Sequence, residues 1–287
     1  MTKNYFIYIF TILLIGCSNR PDSFTPYLTK SKNIDFLVQK GKTHWEKRVE
    51  PNEAIQSNLF LSKAYDLDPN NFEVAVLYSR SCYFVGYYIE SNPIKSDSLF
   101  LEGMNTAWDF IISTDSYQEG AALIEGDSKV KIIGGLQNIS QDLIPLLYWW
   151  TANYSRYLMT KPVMNRLENR DKIEAALHRI ISFKPDFFYH GANRIFGGMY
   201  ARLPGVDLVH AENNFAKSIE GSPNYFSTYV IRAQYLHTKN SDREKFVQDL
   251  QKVLNMNPTI LPEVSPENLF EQENARNLLS KENSLFK

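Results

Sequence analysis

The sequence predicts an all-α protein, built as a compact array of helical hairpins. Three observations carry that expectation. Apolar residues recur at helical spacing along most of the chain, four putative helices end on a proline in the same way, and almost nothing reads as a strand.

The proline-marked segments are "LSKAYDLDPNNF", "LHRIISFKPDFF", "FAKSIEGSPNYF" and "LQKVLNMNPTIL", aligned on Pro69, Pro185, Pro223 and Pro258. Eight residues before the proline stand Leu61, Leu177, Phe215 and Leu250; four before it stand Tyr65, Ile181, Ile219 and Leu254. These positions share one helical face. Proline ends the helix, Asn71, Asp186 or Asn224 is placed to cap the next one, and Phe72, Phe188, Phe226 or Leu261 begins its buried stripe. The last three prolines are 38 and 35 residues apart, close to the 34-residue tetratricopeptide period. Ala211, Phe215, Ser218 and Pro223 also keep the spacing of that repeat's second helix. Further hairpins are expected from "SDSLFLEGMNTAWDFIIS" and "DLIPLLYWWTANYSRYLMTK". Between them, near residues 113–141, the glycines and mixed charges predict a long loop with at most a short helix.

The N-terminus reads differently. Tyr5 to Ile15 is an apolar run too short to span a bilayer and of the right size for a signal-peptide core. It ends in Leu14-Ile15-Gly16-Cys17, which resembles the lipobox of bacterial lipoproteins. Residues 1–16 are thus expected to be a lipoprotein signal peptide and Cys17 the acylated residue. Residues 17–32, polar and holding two prolines, are expected to be a tether. Residues 33–287 remain as a single helical domain. Ser18 after the cysteine leans towards the outer rather than the inner membrane, with the protein facing the periplasm.

Composition excludes several functions. With 31 basic and 32 acidic residues the chain has no nucleic-acid footprint. Cys82 has no second mature cysteine to pair with. The five histidines form no metal-binding pair, no phosphate loop or nucleophile motif is present, and "EGDSK" reads as a solvated loop. Neither an enzyme nor a cofactor is expected.

What stands out is aromatic, at 14% of the residues. "LLYWWTANYSRYL" brings Tyr148, Trp149, Trp150, Tyr154 and Tyr157 together, and Trp149, Asn153 and Arg156 share one helical face. "FFYHGANRIFGGMYARLPG" adds Arg194 beside further aromatics. An aromatic, an amide and a guanidinium on one face suit a groove for a ligand with an apolar body and an anionic end. The rival reading makes the aromatic rings core and has the arginines satisfy helix ends or acidic neighbours.

On these segments the chain resembles the T component of tetratricopeptide-repeat-associated TRAP transporters, a family of periplasmic lipoproteins. The matching stretches include "AYDLDPNNFEVAVLYSRSCYFVGYY", "LYWWTANYSRY", "DFFYHGANRIFGGMYARLPG" and "PENLFEQENARNLL", between about residues 35 and 280. The resemblance implies a tetratricopeptide-like helical fold, a lipid anchor, a substrate-binding P component as partner, self-assembly into a homotrimer, and an internal cavity or pore for a hydrophobic or organic-acid ligand. Trp149, Asn153, Arg194, Tyr200, Glu267 and Asn268 fall on its motifs. After Leu203-Pro204-Gly205 the family's Gly-Gly-Asp turn is reduced to Asp207, which puts the role of that turn in doubt. Tyr148, Trp149, Asn153, Arg156, Arg194 and Tyr200 are therefore the candidate ligand residues, with Pro204, Glu267 and Asn268 as a partner or structural motif. The alternative is a tetratricopeptide scaffold that holds envelope proteins together and binds no small molecule. Cys17→Ala should shift the protein from membranes to the soluble periplasmic fraction, or trap it as precursor, in cell fractionation. Normal processing with unchanged membrane partitioning would refute the lipobox.

Overall fold

A computed structural model describes residues 26–287. Cys17 and the expected signal peptide lie outside the described residues. Among the described residues the secondary structure is helical throughout. In chain order the α-helices are α1 (Pro26–Trp45), α2 (Pro51–Leu67), α3 (Phe72–Phe84), α4 (Pro93–Ile112), α5 (Asp115–Ala122), α6 (Ser128–Gln137), α7 (Ile144–Met159) and α8 (Val163–Glu168). They continue as α9 (Arg170–Phe183), α10 (Phe187–Arg202), α11 (Leu208–Gly221), α12 (Ser227–Arg232), α13 (Arg243–Asn255), α14 (Ser265–Leu279) and α15 (Glu282–Leu285). Wider π turns, Val85–Ile89 and Ala233–His237, prolong α3 and α12. No helix among the described residues is long and apolar enough to cross a membrane.

Each marked proline lies just past a helix: α2, α9, α11 and α13 all end two or three residues before one. Capping follows the expectation only once. The Asn71 side chain accepts from the Val74 amide at 3.2 Å. Asp186 makes no side-chain cap; the chain turns left-handed two residues later, over Phe188, Tyr189 and His190. Asn224 makes none either; Asn268 of α14 accepts from the Phe226 amide at 3.2 Å and donates to the carbonyls of Asn224 and Pro258. A neighbouring hairpin thus closes the start of α12.

Two boundaries differ from expectation. Residues 113–141 are not a long loop but contain the α5–α6 hairpin, with Asp127 capping α6 through the Val130 amide. Two of the glycines that suggested a loop, Gly134 and Gly135, are where the two helices touch: a Cβ on Gly135 would stand 2.5 Å from the Tyr117 ring. Helix α1 also begins at Pro26 and takes in the last residues of the expected tether.

Helix α7 is the central beam, packed against α3, α4, α9 and α10. Its Ile144, Leu146 and Leu147 are fully buried with Ile111, Leu177 and Ile180 in the main core. A second core joins α12, α13 and α14 around Phe226, Phe246 and Leu250. Between the two, Phe215 of α11 packs with Ala201, Ala211, Ile231 and Leu236.

The array closes on itself. Arg48, which follows α1, pairs with Glu267 of α14 at 2.7 Å, and both side chains are only 4% exposed. Arg80 of α3 stands 3.5 Å from the same carboxylate. Tyr88 donates to Glu271 at 2.9 Å, and Phe270 packs on Phe84 and Tyr88. Glu267 and Asn268 thus act as structural locks in this fold. Phe215→Ala should cost about 3–5 kcal/mol in denaturant unfolding, as expected for a truncated core aromatic. A loss below roughly 1 kcal/mol would show that Phe215 does not tie the two cores together.

Candidate ligand-binding site

Helices α7 and α10 run past each other, and α3 and the π turn after α12 close the gap between them. The backbone prepares this junction in an unusual way. Phe188, Tyr189 and His190 have φ of 45°, 58° and 53°, three successive left-handed residues at the start of α10. Each costs roughly 1–2 kcal/mol without a glycine to relieve it. The turn throws the Phe188 ring against Trp149, centroids 4.8 Å apart, and stacks Tyr189 on Tyr225 at 4.8 Å. Gly191 then leaves room for Tyr148, whose ring would lie 2.5 Å from any Cβ there.

Arg194 holds this turn. Its guanidinium donates to the carbonyls of Phe188 and Tyr189 at 3.2 and 3.0 Å and to the Tyr148 hydroxyl at 3.0 Å, and it covers the Tyr225 ring at 4.3 Å. Among the described residues no carboxylate pairs with it.

Beside it lies a cavity of about 40 Å³ bordered by Tyr83, Tyr148, Ser155, Arg156, Arg194 and Tyr235, with Ile195 and Ile231 among its apolar walls. Every polar side chain on this border can donate, and among the described residues no acid borders it. Arg156 lies over the Tyr87 ring at 3.6 Å and donates to the hydroxyls of Tyr83 and Tyr235 at 3.4 and 3.5 Å. Those contacts use the phenol oxygens as acceptors and leave their own O–H groups to point elsewhere. Nη2 of Arg156 and Oγ of Ser155 are buried with no protein partner. Burial, opposed by Arg194, pushes the Tyr148 phenol up to about 12, so it is a neutral donor near pH 7. Two guanidiniums and several hydroxyl donors, with no bordering carboxylate among the described residues, favour an anion in a low-dielectric site.

The sequence-predicted residues divide. Tyr148, Arg156 and Arg194 meet at the cavity. Trp149 and Asn153 do not border it, although they lie one turn apart on α7. Trp149 stands behind the wall, against Tyr83, Tyr148 and Phe188. Asn153 is fully buried and donates to Ser79 of α3 and to the Trp149 carbonyl, which makes it a lock between α7 and α3. Tyr200 faces another way, into an open groove between α9, α10 and α11 with His178 and Asn193. Pro204 is exposed at the turn before α11, where the retained Asp207 accepts from the Val209 amide as an ordinary N-cap. Sequence reasoning missed Tyr83, Ser155 and Tyr235. The aromatic run "SCYFVGYY" pointed towards Tyr83, but nothing in the local pattern marks Tyr235, because a π turn sets its direction.

The family model described as TRAP transporter T-component matches residues 90–286, which include α7, α10 and the π turn after α12. The chain belongs to that transporter-associated family. Helices α1 to α3 precede the matched residues. No curated protein compared with the chain matches it.

Arg194→Met removes all three hydrogen bonds from that guanidinium, two of them to the left-handed turn. It should cost about 3 kcal/mol, the upper end for bonds to a charged group, and Arg194→Lys should restore little because an ammonium lacks the fork. Thermal or denaturant unfolding checks this; a loss under about 1 kcal/mol would show that the turn stands without Arg194.

Proposed function

We propose that this T-component binds a small organic anion with an apolar body, and relays it to or from a TRAP substrate-binding protein. One observation carries the reading: among the described residues the cavity is bordered by two guanidiniums, three phenols and a serine hydroxyl, with no carboxylate. At about 40 Å³ it has room for about three waters, so it matches a head group rather than a whole ligand. The carboxylate would sit between Arg156 and Arg194, taking charge-assisted bonds from both. The apolar body would lie along α7 and α10, where Met159, which also borders the cavity, is a flexible side chain that can repack. In the same reading Cys17 carries the lipid anchor that holds the protein at the outer membrane facing the periplasm, and assembly of several copies would sit at that surface.

A peptide scaffold is the competing role, and its natural seat would be the open groove of about 640 Å³ beside Tyr200. The arginine-lined cavity has no part in that role.

Decanoate is a suitable probe, with decanol as its uncharged counterpart. Titration calorimetry should find decanoate binding well above decanol, and Arg156→Met should weaken decanoate tenfold or more, equivalent to at least about 1.4 kcal/mol. Arg156 touches no backbone carbonyl, so the variant should keep its helical content and melting temperature. Equal affinity for acid and alcohol, or for wild type and variant, would overturn the anion reading.

A further inference from the structure

Some of the buried or half-buried arginines in this protein meet a carboxylate. Arg48 and Arg80 meet Glu267, and Arg232 meets Asp249 at 2.6 Å. Arg166 and Arg202 are different. They stand together on two further pockets that continue from the inner cavity. The first, about 20 Å³, shares Ser155 and Met159 with that cavity and is otherwise walled by apolar side chains such as Leu158, Ile173 and Met199. The second is an open surface groove of about 330 Å³ that shares Arg166 and Arg202 with the first and Tyr235 with the inner cavity. Gln234, Thr238 and the exposed Lys239 complete the polar rim. Among the described residues no acid borders either pocket.

The outer arginines are only partly satisfied. Arg166 Nη1 donates weakly to the carbonyls of Met159 and Lys161 at 3.5 and 3.3 Å, and its Nε is buried with no partner. Arg202 lies over the Tyr235 ring at 5.0 Å. Burial, and after it the neighbouring Arg202 charge, lower the pKa of Arg166, as expected for two cations facing each other. Like charges are held together, unneutralised, at the mouth of an apolar passage whose far end holds two more guanidiniums. Such an arrangement costs stability unless an anion shares it.

We propose that the groove at Arg166, Arg202 and Lys239 is an outer capture site, where a carboxylate ligand docks before its head group passes along the methionine-walled gallery to Arg156 and Arg194. This rests on the inner cavity being the ligand site. The outer pair replaces the water lost by the entering head group, and Met159 and Met199 yield by changing rotamer to let it pass. Charges at such a rim act mainly on the rate of association and its salt dependence, whereas the inner pair governs escape.

Stopped-flow tryptophan fluorescence with decanoate separates these roles, since Trp149 lies directly behind the inner wall. In the double variant Arg166→Met/Arg202→Met, the association rate constant should fall about tenfold or more at low salt and lose most of its salt dependence. The dissociation rate should stay within about twofold of wild type. Lys239→Glu, at an exposed position, should slow association in the same direction without risk to the fold. Wild-type association speed and salt dependence in the double variant, or in Lys239→Glu if the double variant does not fold, overturn the capture site while leaving the inner cavity standing. No decanoate binding by the wild type overturns both.

Discussion

The buried Arg48–Glu267 pair holds the two ends of the chain together, and the internal site depends on that closure. The partners come from the first and last quarters of the sequence. Both are taken out of water, so each is costly alone and each makes the other tolerable. An open tetratricopeptide-like array would leave Phe84, Tyr88 and the end of α3 facing solvent. With α14 drawn across them, the aromatic shell becomes the wall of a chamber. Arg80 joins the same carboxylate from the inner side and covers the rings of Trp149 and Phe188 at 5.5 and 5.3 Å. The closure and the aromatic packing therefore share an ion.

That sharing explains how arginine can serve two ends in one interior. Where a carboxylate is present, the guanidinium is a strut. Where only phenols, rings and carbonyls surround it, the cation is tolerated by π faces and oxygen dipoles but not neutralised. Arg194 is the intermediate case. It braces a left-handed turn and also faces the cavity, so binding and backbone strain meet in one side chain, as is common where local strain persists.

Much of the fold was legible in the sequence because its signals are local. Pro69, Pro185, Pro223 and Pro258 each follow a helix, and the apolar positions before them are buried or half-buried. Legibility failed where distant contacts decide. Gly134 and Gly135 suggested a loop because their need for a close helix crossing is invisible until Tyr117 and Gly120 are placed. Asp186 and Asn224 were plausible caps, yet a strained turn follows one and Asn268 replaced the other. At the site, residue type was informative and direction was not. Tyr148, Arg156 and Arg194 share a cavity, while Asn153, on a face that looked polar, is spent on Ser79. Helical spacing alone cannot tell a polar lock between helices from a polar ligand contact.

The two π turns add a consequence for comparing such chains. In Val85–Ile89 the Glu90 amide reaches back five residues to the Val85 carbonyl, at 2.8 Å. One residue more than an α-helix needs has been absorbed without breaking the rod. In Ala233–His237 the Thr238 amide likewise reaches back five residues, to the Ala233 carbonyl. A single residue turns a helix by about 100°, so each bulge reorients the side chains around it relative to an unbulged homologue. Tyr87 and Tyr235 both lie on these bulges and both meet Arg156. Ancestral sequences aligned without gaps would therefore pair these tyrosines with residues facing elsewhere. In such a comparison each bulge counts as one inserted residue, and the two together aim Tyr87 and Tyr235 at Arg156.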